Sequence, residues 1–187
     1  IVIFGATGNT GEYFTDFCKN YLDPSEYEII AVGRKTTTFY AENQIIYYQV
    51  DIRDQGDFAQ LPQRDVYAVV KKAGLLPAYL KKYDPFANVS TNMTGALRIM
   101  EYARKVGADR ILYTQTWAEM AGYWGKEEVL RPSMRHSLCY TGDHAFYAIT
   151  KSMIVDTMEH YHQEYGIKNF VFRLPNIYLY SPEKTYY

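Results

Sequence analysis

The segment Gly5-Ala6-Thr7-Gly8-Asn9-Thr10-Gly11 constrains this 187-residue chain more than any other. It follows the apolar run Ile1-Val2-Ile3-Phe4 and leads into a helical pattern that puts Phe14, Phe17, Cys18 and Tyr21 on one face. Strand, glycine turn and helix in that order is the context in which a glycine motif carries meaning. Glycines let the backbone turn tightly, approach a pyrophosphate closely and pack the helix on the sheet. The helix N-terminus then offers free N–H groups and a partial positive charge. The spacing is GxxGxxG rather than GxGxxG. The reading is a dinucleotide site with Gly5, Thr7, Gly8, Asn9, Thr10 and Gly11 as contacts; the plainer alternative is a turn that only joins strand to helix.

Short apolar segments alternate with helical ones along the rest of the chain. Strands are expected over 1–4, 28–32, 45–51, 66–70, 110–116 and 169–174, and helices over 11–22, 55–60, 85–106 and 145–165. Asp23-Pro24 closes the first helix. Gly107 ends the third, after Leu97, Met100, Ala103 and Val106 line one face. Gly166 ends the fourth, after Ile149, Met153, Ile154, Met158 and Tyr161 do the same. This βα alternation predicts an α/β fold, a doubly wound parallel sheet of Rossmann type with strand order 3-2-1-4-5-6. Residues 1–187 read as one dinucleotide-binding domain. Residues 117–144 form a long irregular stretch between the fifth strand and the fourth helix, where a ligand cleft opens in such folds.

Composition narrows the partners. Net charge is −1 and the charges are interspersed, which argues against a nucleic-acid groove or a polybasic membrane surface. No apolar run approaches ~18 residues and no secretory signal is visible. Cys18 and Cys139 lie far apart without metal spacing, and Cys18 reads as a buried free thiol. His160 and His162, two apart on a helix, point away from each other, so no metal is expected. A cytoplasmic location and a homodimer are the expectations. The chain opens inside a strand without an initiator Met and closes without a terminating element, which reads as part of a longer protein.

Tyr147-Ala148-Ile149-Thr150-Lys151 is the second strong signal. Tyr and Lys at i and i+4 share a helix face. An ammonium beside a phenol favours the phenolate and lowers its pKa from about 10; an oxidised nicotinamide adds positive charge. The Tyr then serves as acid or base near neutral pH. Spacing alone is weak evidence in a chain with 20 tyrosines.

With these motifs in hand, the chain resembles the extended short-chain dehydrogenase/reductase family, the nucleotide-sugar epimerases and dehydratases. The resemblance runs from Ile1 to Tyr180 and rests on the Gly5–Gly11 turn, Asp51-Ile52-Arg53-Asp54, Ala73-Gly74, Asn92, Tyr113-Thr114-Gln115-Thr116, Tyr147–Lys151 and Arg173-Leu174-Pro175-Asn176-Ile177-Tyr178. It implies that Asp51 and Ile52 flank the adenine and that Ala73, Gly74, Asn92 and Pro175 belong to the cofactor site. It makes Thr116 the Ser/Thr that hydrogen-bonds the substrate oxygen and Tyr147 the acid/base. Lys151 holds the nicotinamide ribose and tunes Tyr147, and Asn176 reaches nicotinamide or substrate. Plainer readings stand beside these: Asp51 as a strand-end cap, Thr116 as an ordinary strand residue, Asn92 as polar support within its helix, Arg173 as a structural ion pair. There are departures. Lys71-Lys72 stands where many relatives have His or an apolar residue, and the two amines are expected to snorkel to water rather than face phosphates. Leu179 replaces a usual Gly, Thr114-Gln115 replaces a Ser-rich run, and the smaller C-terminal substrate domain is largely absent.

The second strand ends Val32-Gly33-Arg34-Lys35. No carboxylate is present there to accept from a ribose 2′-OH, and Arg34 is placed to pair with a 2′-phosphate, which favours NADP over NAD. The resulting expectation is an NAD(P)-dependent epimerase or reductase acting on a nucleoside-diphosphate sugar or related sugar. Arg131 and Arg135 are candidates to meet a diphosphate. No acidic residue directly follows Thr116 and Glu119 comes three residues on, which weakens a dehydratase. The alternative is a dinucleotide-sensing binding protein without chemistry.

Overall fold

The computed structural model describes residues 1–77, 84–126, 129–175 and 177. Six parallel strands form one sheet: β1 (Val2–Phe4), β2 (Ile30–Gly33), β3 (Ile46–Gln49), β4 (Ala68–Lys71), β5 (Arg110–Thr116) and β6 (Lys168–Leu174). Their order is β3-β2-β1-β4-β5-β6, as the βα alternation predicts, and every neighbouring pair is parallel. The helices are α1 (Asn9–Tyr21), α2 (Phe39–Glu42), α3 (Pro85–Asn88), α4 (Gly95–Lys105) and α5 (Ala145–Tyr165). A π-helical turn, Val89–Thr94, joins α3 to α4. Asp84 caps α3 by accepting from the Ala87 N–H at 2.9 Å, with Pro85 opening the helix.

The central strands are buried on both faces, as parallel sheets require. On one face Val2, Phe4, Val69, Ile111 and Tyr113 pack with Ile99, Met100, Ile154 and Met158 of α4 and α5. On the other Ile3, Ala31 and Val70 pack with Cys18 of α1 and with Tyr40 and Ile45. Two helix faces differ from their sequence patterns. The buried stripe of α1 runs through Gly11, Thr15 and Cys18, while Phe17 and Tyr21 stack on each other at 4.6 Å on the exposed side. On α4, Leu97 is exposed and Ala96, Ile99 and Tyr102 face inward. On α1 small residues set the contact with the sheet, whereas α4 turns Ile99, Met100 and Tyr102 inward along with Ala96 and Ala103. The stretch after β5 is also more regular than expected, with Trp117–Tyr123 forming a 3-10 helix. No described helix is long and apolar enough to cross a membrane.

The β1–α1 turn is the tightest point. Gly5 has φ +85°, and a Cβ there would lie 2.6 Å from Ala73 Cα and 2.7 Å from the Lys72 carbonyl carbon. A Cβ on Gly11 would overlap the Gly5 carbonyl oxygen and sit 2.9 Å from Ala6 Cα. Gly8 is looser, its nearest obstacle being the Gly5 oxygen at 3.3 Å. Gly11→Ala is therefore expected to cost about 2–4 kcal/mol in urea unfolding, by overpacking against main chain that has no rotamer to yield. Gly8→Ala should cost less than about 1 kcal/mol.

Candidate active site

Nearly all the sequence-derived candidates gather along the carboxyl ends of the strands, where doubly wound sheets bind ligands. The turn after β1 presents Thr7 and the first turn of α1 presents Asn9 and Thr10, whose helix-start N–H groups lack intrahelical acceptors. The Tyr40 hydroxyl donates to the Ala6 carbonyl at 2.7 Å and steadies this turn. Ala73 and Gly74 follow β4, and Ala73 lies against Gly5. Arg34 is exposed at the end of β2. Asp51 pairs with Arg53 at 2.6 Å, and that hydrogen bonding holds its carboxyl below the ordinary value. Ile52 is buried against Gly95, where any added Cβ would lie 2.7 Å from its side chain. Pro175 is exposed just after β6; Asn176, Tyr178 and Leu179 lie outside the described residues.

Asn92 is fully buried in the π-helical turn. Its Oδ1 accepts from the Leu75 N–H at 2.8 Å, and its Nδ2 donates to the Leu75 carbonyl at 3.1 Å and to Asn88 Oδ1 at 3.2 Å. Nδ2 also reaches Thr150 Oγ1 on α5 at 3.5 Å. The residue thus ties the segment after Gly74 to the helix that carries Tyr147. The π turn re-aims one residue of an otherwise α-helical run, which is how such turns serve at sites.

Tyr147, Thr116 and Lys151 come together. Thr116 ends β5; its Oγ1 accepts from the Ala118 N–H at 3.2 Å, and its side chain neighbours the Tyr147 phenol. Lys151, one turn along α5, donates from Nζ to the Thr114 carbonyl at 2.7 Å and stands 6.0 Å from the Tyr147 ring centre. The expected lowering of the phenol is reversed. Burial pushes Tyr147 up to about 12, against the lowering effect of the Thr116 side chain. Burial likewise drives Lys151 well below its ordinary value, with Lys71 adding to the fall and Glu119 opposing it.

Lys71 corrects a second expectation. It does not snorkel. It shares the sheet face of Val69, is 2% exposed, and donates from Nζ to the Ala73 carbonyl at 2.7 Å. Burial pushes it down to about 7. Only Lys72, half-buried with Nζ over the Phe14 ring at 4.6 Å, approaches the expected behaviour. Glu119 is fully buried, accepting from Arg173 Nε at 2.5 Å and Gln115 Nε2 at 2.8 Å. Arg173 is thus a structural ion pair, and it fastens the loop by donating to the Pro132 carbonyl at 2.6 Å. Arg131 and Arg135 are exposed on that loop. Trp117 and Trp124 stack at 4.2 Å beside it.

The sequence and the architecture match known proteins. A family model described as the NAD dependent epimerase/dehydratase family covers residues 1–186. The chain belongs to the NAD-dependent epimerase/dehydratase family. A protein of Methanocaldococcus jannaschii provisionally named a UDP-glucose 4-epimerase is 22% identical over 182 residues, covering 95% of this chain and 56% of that protein. The fold matches the Thermus thermophilus UDP-glucose 4-epimerase complex with NAD at a TM-score of 0.76 and 17% identity, over 92% of this chain and 53% of that one. It matches L-threonine dehydrogenase from Clostridium difficile at 0.74 and 20%, over 92% and 52%. The chain spans about half the length of these relatives.

Within this family member, sequence reasoning misses the interior position of Lys71 and the pairing of Glu119 with Arg173. The signal for Lys71 is present: a central parallel strand is buried on both faces, so a lysine two residues after Val69 has to point into a packed layer. The titration of Lys71 predicts a stability profile. Its folded value of about 7 lies below an unfolded lysine's about 10.4, so between those values the unfolded chain binds the extra proton. Stability should therefore rise as pH climbs from about 7 to about 10; on the way back down it is lost again and levels off below about 7. Lys71→Met should be more stable than the parent at pH 7, by on the order of 3 kcal/mol, with the gap closing above about pH 10 in denaturant titrations.

Proposed function

We propose that residues 1–187 form the dinucleotide-binding domain of an NAD(P)-dependent epimerase or reductase that acts on a nucleoside-diphosphate sugar or a related sugar. The observation that carries this reading is the convergence of Thr116, Tyr147 and the buried Lys151, with Lys151 Nζ 6.0 Å from the Tyr147 ring centre, set at the strand ends with the glycine turn. The donor set suits a dinucleotide: Gly5 and Gly11 allow main-chain approach where a Cβ would collide, and the α1 N-terminus favours a pyrophosphate. Thr7, Gly8, Asn9 and Thr10 would hold the phosphates, Asp51 and Ile52 the adenine, and Ala73, Gly74 and Pro175 the nicotinamide side, with Asn92 shaping that wall. Bound nicotinamide supplies a hydride acceptor or donor.

The chain's own groups do the rest. Thr116 steadies the substrate oxygen. Tyr147 takes the hydroxyl proton when the sugar carbon is oxidised and returns it when the carbonyl is reduced. Lys151 orients the ribose and, when protonated, favours the phenolate. Asn176 would contact the substrate. Relatives named as acting on UDP-glucose support a sugar-nucleotide substrate. Glu119 is committed to Arg173 and Gln115, which supports epimerase or reductase chemistry over dehydration.

Tyr147→Phe tests the central assignment. Turnover of a sugar-nucleotide panel should fall by at least about 100-fold, the usual scale of a lost general acid/base, while cofactor affinity stays within a few-fold. Retained turnover would remove Tyr147 from the chemistry. Cofactor binding by the parent with no turnover across the panel would identify a sensing protein instead.

We further propose NADP as the preferred cofactor, on the exposed guanidinium of Arg34 and the missing carboxylate at Gly33. Arg34→Ala should weaken NADPH by about 10- to 100-fold, the worth of one charge-assisted hydrogen bond, and leave NADH nearly unchanged. Calorimetric titration of both cofactors reads it, and equal weakening would assign Arg34 to adenine stacking.

A further inference from the structure

Two lysines from different elements meet on one tyrosine ring. Lys71 Nζ, from β4, lies 4.9 Å from the centre of the Tyr113 ring, and Lys151 Nζ, from α5, lies 4.4 Å from it. All three side chains are buried, and the Tyr113 hydroxyl donates to the Lys151 carbonyl at 3.3 Å. Each amine has a main-chain carbonyl as acceptor, Ala73 for Lys71 and Thr114 for Lys151.

Among the described residues, the other charged and titratable groups around the pair are few. Glu119, on the 3-10 helix after β5, is the buried carboxylate, and it is engaged by Arg173 of β6 and by Gln115. Tyr147 faces Lys151 from its own helix. Asn88 and Asn92, before α4, are neutral. Lys72 turns to the opposite sheet face, against Phe14 and Cys18. If both amines were charged, the described residues would set two buried ammoniums and the partly exposed Arg173 against one buried carboxylate that already has its partner. A buried layer does not tolerate that sum, and the group that resolves it is an amine that releases its proton.

We propose that Lys71 and Lys151 hold a single proton between them near neutral pH, so that Lys71 is a positioning residue that sets the charge Lys151 presents to Tyr147. With the proton on Lys71, Lys151 is a neutral amine and gives the phenolate no electrostatic support. With the proton on Lys151, the ammonium stands one helical turn from the phenol and favours its ionisation. One N–H bond is lost as the other forms, with solvent exchanging the proton, and no other reactant is required. Burial that lowers both amines, Lys71 to about 7, agrees with the geometry. The consequence at Tyr147 rests on the function proposed above; the sharing of the proton does not.

The test is a pH titration of the protein with lysine labelled at ¹³Cε and tyrosine at ¹³Cζ, followed by NMR from about pH 5 to about pH 10, a range spanning the shifted and ordinary lysine values. Lys71→Met and Lys151→Met assign the two amine signals. In the parent, the two should titrate below the other lysines with the broadened curves of a coupled pair. Lys71→Met should raise the Lys151 midpoint by about one pH unit, the scale of one like charge across a tyrosine ring at an effective dielectric near 20. The Tyr147 ¹³Cζ signal should follow the protonation of Lys151 within this range, and its inflection should move with the Lys151 midpoint in the same variant. Lys71→Gln, which keeps a polar end able to donate to the Ala73 carbonyl, should reproduce both shifts. Two independent single-site curves in the parent, or a Lys151 midpoint unmoved in both Lys71 variants, would overturn the shared proton. A Lys151 midpoint that shifts while the Tyr147 ¹³Cζ signal does not follow it would overturn the positioning role. Turnover of Tyr147→Phe reads the catalytic assignment separately, so a failure there leaves the titration result standing.

Discussion

The crossing of the β1–α1 turn over the end of β4 is the constraint on which the rest of the molecule depends. Gly5 lies against the backbone of Lys72 and Ala73, and Gly11 lies against Gly5. Main chain meets main chain at both points. Gly5 N–H and Ala6 N–H both reach back to the Val32 carbonyl, while Lys72 N–H and Ala73 N–H both reach the Phe4 carbonyl. Three strand ends are therefore locked together within a few residues. That lock aims the first turn of α1 along the strand ends, and it also fixes the exit of β4, which decides where Lys71 ends and the loop of Ala73 and Gly74 begins. The geometry that suits a dinucleotide thus forces a charged side chain into the layer beneath α5.

Burial and charge pull against each other at the opposite wall of the cleft. Packing α5 on the sheet buries Tyr147 and Lys151 together, which gives them a fixed separation but disfavours the ionised form of each. The protein relieves this at one point with Thr116, whose hydroxyl favours the phenolate, and at another with the Thr114 carbonyl, which accepts from the ammonium. Glu119 lends its charge at longer range, and Arg173 limits how much of that charge reaches Lys151. The phenol in this surrounding remains a weak acid, with a value of about 12.

The α/β class, the strand order and the gathering of Gly5–Gly11, Ala73, Thr116, Tyr147 and Lys151 at the strand ends are legible from periodicity and ordered motifs. The positions that sequence misplaces share a cause. Phe17, Tyr21 and Leu97 read as inward because apolar side chains favour burial, yet the face that meets the sheet is Gly11, Thr15 and Cys18 on α1 and Ala96, Ile99, Met100 and Ala103 on α4. Aromatics such as Phe17 and Tyr21 then cover each other outside. Lys71 reads as outward because charge favours water, yet its position two residues after Val69 fixes its direction. Residue type outweighs register in both readings, and in the fold register wins. The Glu119–Arg173 pair is half visible: an ion pair is expected at Arg173, but a partner 54 positions away in sequence follows only from the β5–β6 pairing.

Gly33 shows how packing and selectivity become entangled in this cleft. Its lack of a side chain reads first as the removal of a carboxylate that would repel a 2′-phosphate. In the fold, however, a Cβ at Gly33 would lie 2.7 Å from Thr7 Oγ1 and 3.0 Å from the Tyr47 hydroxyl, which itself donates to the Gly33 carbonyl at 2.9 Å. Any side chain there must displace Thr7, a residue of the glycine turn. The glycine is thus required by the approach of β2 to that turn, whichever nucleotide is bound. Discrimination between the two cofactors must then rest on groups that extend past the strand end without entering this contact. Arg34 is such a group, being exposed and one residue beyond the crowded position. A side chain at Gly33 crowds the glycine turn, whereas a change at the exposed Arg34 leaves that contact intact.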